Sequence, residues 1–153
     1  MDTMSPAVAI NRTGSEVLCV VDFSDASRDA LQAAITIAEA TKSKVTALYP
    51  YRLNQPRNVP DVSKWKKSLE EDAVNNFNRM NGSILKESGI SWQFRPEVGF
   101  VDDRIEAFAI KNNVGIIVIS GELASKSDGA LMDVLEIITT PLLVVPHKRK
   151  SDQ

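Results

Sequence analysis

Asp22 is the first residue of the chain placed to do chemistry. It follows the apolar run Val17-Leu18-Cys19-Val20-Val21 and opens a polar turn, Asp22-Phe23-Ser24-Asp25. A carboxylate there can accept hydrogen bonds from a ligand, or it can cap the turn together with Ser24 and Asp25; the residues leave both open. The second candidate is the polar stretch Gly121-Glu122-Leu123-Ala124-Ser125-Lys126-Ser127-Asp128-Gly129, which carries one lysine and leads into a helical pattern. Unpaired N–H groups and positive potential at a helix N-terminus suit an anion. The same stretch also reads as an ordinary connection capped by Ser127 or Asp128.

Acid–base and nucleophilic candidates are sparse. The chain has one histidine, His147, past the last apolar run, and one cysteine, Cys19, in the middle of the first. A Ser–His or Cys–His pair is therefore not expected, and a His/Cys metal cluster is excluded by counting. Cys19 reads as a small buried hydrophobe, since nothing near it in sequence would stabilise a thiolate. The pair Asp102-Asp103 reads as helix capping. No catalytic residue and no metal site is expected.

The elements that must position Asp22 follow from periodicity. Five consecutive apolar residues suit a strand buried on both faces, as in a parallel sheet covered by helices. The stripe Leu31, Ala34, Ile35, Ala38 predicts a helix after Ser24 or Asp25, and Lys44 to Tyr49 a second strand. In such a βαβ unit ligands bind outside the carboxyl ends of the strands, where Asp22 stands. Three prolines between Pro50 and Pro60 predict a long loop. Val62, Trp65, Leu69, Ala73, Phe77, Met80 and Ile84 step by threes and fours along one face of a helix over 61–88, with Glu70, Glu71 and Asp72 on its solvated side. Gly89 would end it in a left-handed turn.

Ile90 to Val98 alternates apolar with polar and contains Pro96, as an edge strand does. Asp103 and Glu106 resemble a capping box opening a helix with Ile105, Phe108 and Ala109 inward. Gly115 to Ser120 predicts another fully buried strand, Gly121 to Asp128 a loop, and Leu131, Val134, Leu135 and Ile138 a short helix. Pro141 to Pro146 predicts the last strand. Five strands alternating with four helices give a doubly wound, five-stranded parallel α/β sheet with helices on both faces.

A length of 153 residues suits one domain, here 16–147, between a polar leader (1–15) and a basic tail (148–153). The net charge of −2 gives no global field for nucleic acid or an anionic membrane. Residues 1–15 lack the cationic start and apolar core of a secretory signal, and no apolar run is long enough to span a bilayer. A cytoplasmic protein is expected.

Val17 to Ser27, with its Val-Asp-x-Ser end, resembles the opening of universal stress proteins (UspA-like). Val98 to Ile105, Gly115 to Gly121 and Val134 to Pro146 are similar to later blocks of that family, in order and spacing from about Glu16 to Pro146. The resemblance implies an adenine nucleotide alpha-hydrolase-like fold with strand order 3-2-1-4-5. It also implies homodimers that pair through the last strand, here Leu142 to Val145, and a cleft between strands one and four where many members bind ATP. ATP-binding members carry G-x2-G-x9-G-[ST] after the fourth strand, glycines letting the backbone approach phosphates. Counted from Gly121, the later glycine positions are Ala124 and Val134, followed by Leu135; Gly129-Ala130 comes early and lacks the hydroxyl. Asp22 remains in the position that contacts the base in nucleotide-binding members.

The expectation is a non-enzymatic universal stress protein-like homodimer that acts in the stress response through protein contacts, with a degenerate nucleotide site and no resident cofactor. The alternative is an adenine-nucleotide sensor with a modified phosphate loop, holding ATP or AMP through Asp22, Ser24, Gly121, Lys126 and Gly129. An ATP-pyrophosphatase-like enzyme is not expected, because Phe23-Ser24-Asp25-Ala26 offers no Ser-Gly-Gly turn.

Overall fold

The computed structural model of the chain describes residues 15–54, 60–127 and 129–147. Residues 1–14 of the polar leader, part of the Pro50–Pro60 stretch, the Asp128 cap and the basic tail lie outside the described residues. The chain order is β1 (Glu16–Val20), α1 (Asp25–Thr41), β2 (Lys44–Tyr51), α2 (Val62–Ser88), β3 (Trp92–Val98), α3 (Val101–Lys111), β4 (Val114–Ser120), α4 (Gly121–Ser125), α5 (Ala130–Ile138) and β5 (Leu142–Val145). The strands form one sheet, all parallel, in the order β3-β2-β1-β4-β5. That is the fold and strand order the sequence implied.

Side chains alternate across a strand, so consecutive residues of β1 feed opposite layers. Val17, Cys19 and Val21 join Ala30, Leu31, Ala34 and Phe77 beneath α1 and α2. Leu18 and Val20 join Ile105, Phe108, Leu131 and Val134 beneath α3 and α5. Val17 to Val21 are all buried, the physical reason for the unbroken apolar run.

Four local expectations are corrected. The strand β2 does not stop at Tyr49: it runs on through Pro50 to Tyr51, paired with Glu97 and Val98 of β3. Beyond Leu48, where the β1 pairing ends, only β3 lies beside it, so a proline there breaks no ladder with β1. Helix α3 begins at Val101 with Phe100 as a cap that makes no side-chain bond, so Asp102 and Asp103 are first-turn acids and not caps. They still complement the helix dipole. The stretch after β4 starts with a helical turn and not a loop, because the Ser120 hydroxyl accepts from Leu123 N–H and Leu123 is buried. Strand β4 is fully buried only from Ile117 onward, its first three residues being half-buried.

On α2 the buried residues are Ala73, Phe77, Asn81 and Leu85, a strict step of four. The stripe expected from the sequence drifts off this line after Phe77, leaving Met80 and Ile84 at its margin. Gly89 does end α2 in the left-handed region, at φ 73°. Strand β3 is an edge, as its alternation implied. None of the described helices is long and apolar enough to cross a membrane.

Candidate functional site

The turn after β1 is fixed by a closed set of hydrogen bonds. Val21 N–H still donates to Leu48 C=O at 2.9 Å, which holds the chain to β2 for one more residue. Asp22 N–H then donates to Ser27 Oγ at 2.8 Å. Ser24 donates twice to Asp22 Oδ1, from its N–H at 2.9 Å and its hydroxyl at 2.5 Å. Ser27 N–H closes the set on Ser24 Oγ at 3.1 Å. Ser24 is thus the cap of α1, and Asp25 is the acid of its first turn.

This arrangement sets the charge of Asp22. Partial burial pushes its carboxyl up, but the Ser24 hydroxyl and N–H, the Ser27 hydroxyl and the nearby charge of Lys126 outweigh burial and hold it below the ordinary 3.8. Asp22 is an anion at neutral pH. Oδ1 is the oxygen that holds the turn together, through both bonds from Ser24.

Strand β4 brings the second candidate stretch alongside, since Val20 of β1 pairs with Ile119. Three of the predicted residues, Asp22, Ser24 and Lys126, meet at this end of the sheet, with Lys126 exposed and its charge felt at Asp22. Gly121 instead packs toward β5: a Cβ there would lie 3.8 Å from Val144 Cγ1 and 3.9 Å from Val145 O. Gly129 caps α5 in the left-handed region at φ 85°, where glycine is favoured.

Four N–H groups of this connection are engaged internally. Leu123 N–H goes to Ser120 Oγ (3.1 Å), Lys126 N–H to Leu123 O (3.2 Å), Ser127 N–H to Ala124 O (3.2 Å) and Ala130 N–H to Ser127 O (3.0 Å). The hydroxyls of Ser125 and Ser127 likewise donate back, to Glu122 O and Ala124 O. Such donors cannot cradle an anion without first breaking a bond of their own.

Nothing here resembles an activated nucleophile. Burial pushes the Cys19 thiol far up, as a buried structural cysteine requires. His147 Nδ1 stands 2.8 Å from Asp29 Oδ2 on α1, remote in role from Asp22. Among the described residues no group of three His, Cys, Asp or Glu could hold a metal ion.

Sequence reasoning missed the aromatic side of the site. Phe23 lies against Tyr49 (centroids 4.8 Å), and Tyr49 stacks on Tyr51 at 5.7 Å with planes 15° apart. Burial and then the charge of Asp22 raise the Tyr49 hydroxyl, which ties this wall to the acid. Tyr51 donates to Glu70 Oε2 at 2.7 Å, so Glu70 is half-buried and bonded where the helical pattern had it solvated. The signal lay in Tyr49 and Tyr51 two apart, one face of a strand, hidden because that strand was ended too early.

A model described as the universal stress protein family matches residues 15–146. Among curated protein sequences none matches significantly. A universal stress protein from Burkholderia pseudomallei is 19% identical with a TM-score of 0.66, covering 87% of this chain and 96% of its own. A universal stress protein solved in complex with cAMP is 19% identical (TM-score 0.63, 88% and 98% covered). One from Archaeoglobus fulgidus in complex with dAMP is 20% identical (TM-score 0.59, 88% and 99% covered). Likeness at this identity carries the fold and nothing finer.

Proposed function

This chain belongs to the universal stress protein family, and we propose that it acts in the stress response as a homodimer working through protein contacts, without catalysis and without a firm hold on a triphosphate. One observation carries the reading. Four backbone donors after β4, those of Leu123, Lys126, Ser127 and Ala130, are spent on bonds within the connection itself. The dimer reading rests on β5, an edge strand whose Leu143 and Val144 are 37% and 44% exposed. An apolar edge of this kind favours pairing with a second copy.

A second reading is favoured by Asp22 and Lys126, a carboxylate that feels the charge of an exposed lysine, and by similarity to proteins solved with cAMP and dAMP. In it the chain senses an adenine nucleotide carrying few phosphates, the base at Asp22 and the phosphate at Lys126, with Ser24, Gly121 and Gly129 shaping the turn ends. Melting temperature with millimolar ATP or AMP separates the two. A ligand at 100 times its dissociation constant stabilises by about 2.7 kcal/mol. A clear shift with ATP overturns the first reading, and no shift with either nucleotide removes the second.

A further inference from the structure

Asn81 is the polar member of the buried seam of α2, set between Phe77 and Leu85. It is 5% exposed, yet its amide is poorly satisfied there. Nδ2 donates to Phe77 O at 3.4 Å, the long end of a hydrogen bond, and Oδ1 has no partner among the described residues. A buried amide left in this state costs stability. The next residue is Gly82, where an added Cβ would meet nothing within 4 Å and the backbone is helical, not left-handed. Neither packing nor conformation calls for glycine in this turn, and glycine weakens a helix interior relative to alanine.

The surrounding sequence is weak as well. Asn75, Asn76, Asn78, Asn81, Gly82 and Ser83 follow one another closely, residues that compete for the backbone or leave it loose. Helices in proteins keep their shape mainly by packing. Beyond Asn81 the seam of α2 holds only Leu85 before Gly89 ends the helix. This end of α2 therefore opens more readily than the rest of the core. It lies by the amino end of β2, where Ser88 shares a cavity with Lys44 and Ser91, at the end of the sheet opposite Asp22.

Asn81-Gly82 is also the one Asn-Gly pair in the chain. Glycine has no Cβ to shield its backbone nitrogen, so in this pair an asparagine amide is most open to attack from the residue that follows. In the closed helix the attack is blocked, because Gly82 N–H is held by the carbonyl four residues back, that of Asn78.

We propose that Asn81-Gly82 is a spontaneous deamidation site gated by opening of the end of α2. In the opened turn the Gly82 nitrogen gives its proton to water or hydroxide and attacks Asn81 Cγ. The N–Cγ bond forms, the Cγ–Nδ2 bond breaks and Nδ2 leaves as ammonia. Water then opens the succinimide to aspartate or isoaspartate. Either product keeps the turn from closing again. Aspartate sets a carboxylate beside the Phe77 carbonyl in a buried seam, and isoaspartate lengthens the backbone and puts the helical ladder out of step. The change is one-way and releases the last turns of α2.

Peptide mapping by mass spectrometry tests it, on the full chain held folded at mildly alkaline pH, with hydrogen exchange followed in parallel. Acid should replace the amide at Asn81 and not at Asn75, Asn76 or Asn78 of the same helix. Conversion should run more than about tenfold faster than global unfolding permits, as reckoned from exchange of the β1 amides and from the rate in the urea-unfolded chain. Gly82→Ala, which the open space accommodates, should slow it at least about tenfold and raise the melting temperature. Asn81→Asp should remove exchange protection from Leu85 to Ser88 while β1 keeps its own, and Asn78→Asp, at an exposed position, should not. Conversion at Asn78 as fast as at Asn81, a rate no faster than global unfolding permits, an undiminished rate in G82A, or α2 in N81D protected as in wild type would each overturn the assignment. So would loss of β1 protection in N81D together with that of α2.

Discussion

Asp22 Oδ1 accepts two hydrogen bonds from one residue, Ser24, at 2.9 Å from the N–H and 2.5 Å from the hydroxyl. The pair therefore makes the turn and prepares the site together. Ser24 caps α1 with the same oxygen that it turns toward Asp22. Function and local stability are linked at this point, and a change to either residue is expected to disturb both.

The pH dependence follows from the lowered carboxyl. A group whose folded-state pKa lies below its unfolded value contributes its stability in full above the unfolded value and loses it as pH falls through the folded one. For Asp22 the loss sets in as pH drops past the ordinary 3.8. Hydrogen bonds to a charged group contribute roughly 1.5–3 kcal/mol, reduced here to about 1 kcal/mol because the carboxylate is half exposed. Asp22→Asn should cost about that much at neutral pH and flatten the acid limb of stability, as read by urea melts from about pH 7 down to about pH 2. An unchanged acid limb in the variant would rule out this role for Asp22.

The spent donors after β4 make a prediction about nucleotides. Wild-type protein should gain no more melting temperature from ATP than from AMP, since four backbone N–H groups of the connection are already bonded within it. Ala124→Gly should not alter this. The Ala124 carbonyl, which the substitution keeps, is what engages Ser127 N–H and the Ser127 hydroxyl. A selective ATP shift in either protein, followed by thermal melting at millimolar ligand, contradicts it.

The core offers a check on packing. Phe77 is 1% exposed and stacks on Phe94 at 4.3 Å, with Trp92 tilted against it at 5.8 Å. Phe77→Ala removes the ring that joins α2 to the edge strand β3. The expected cost is about 3–5 kcal/mol, the range for a large aromatic deleted from a core. Denaturant unfolding measures it, and a loss under about 1 kcal/mol would mean that the site collapses around the gap.

Much of the fold was legible because burial leaves a period in the sequence. The unbroken Val17–Val21 run and the Leu31–Ala38 stripe each report two-sided or one-sided burial directly, and both hold. What could not be read depends on contacts distant in sequence. Pro50 signals a loop locally, yet β2 continues because β3 pairs with it out to Val98. Gly121 to Ser125 is polar enough for a loop, yet it coils because Leu123 finds the core beneath α5. Of the site, Asp22 and Ser24 were readable from the turn alone. The aromatic wall needed Phe23 and Tyr49 brought together from different elements, which no local pattern encodes.

The dimer prediction turns on Val144. It is 44% exposed on β5 while its backbone remains paired with Ile119 of β4. A charge there should leave the protomer folded, because the side chain is already largely in solvent, but place two like charges close together if two copies of β5 meet across a two-fold axis. Val144→Asp should therefore convert a dimer to a monomer in sedimentation equilibrium at micromolar concentration. It should also remove any dependence of melting temperature on protein concentration, the mark of association linked to folding. A wild-type monomer under the same conditions, or a V144D dimer as tight as wild type, would show that the edge is covered in some other way.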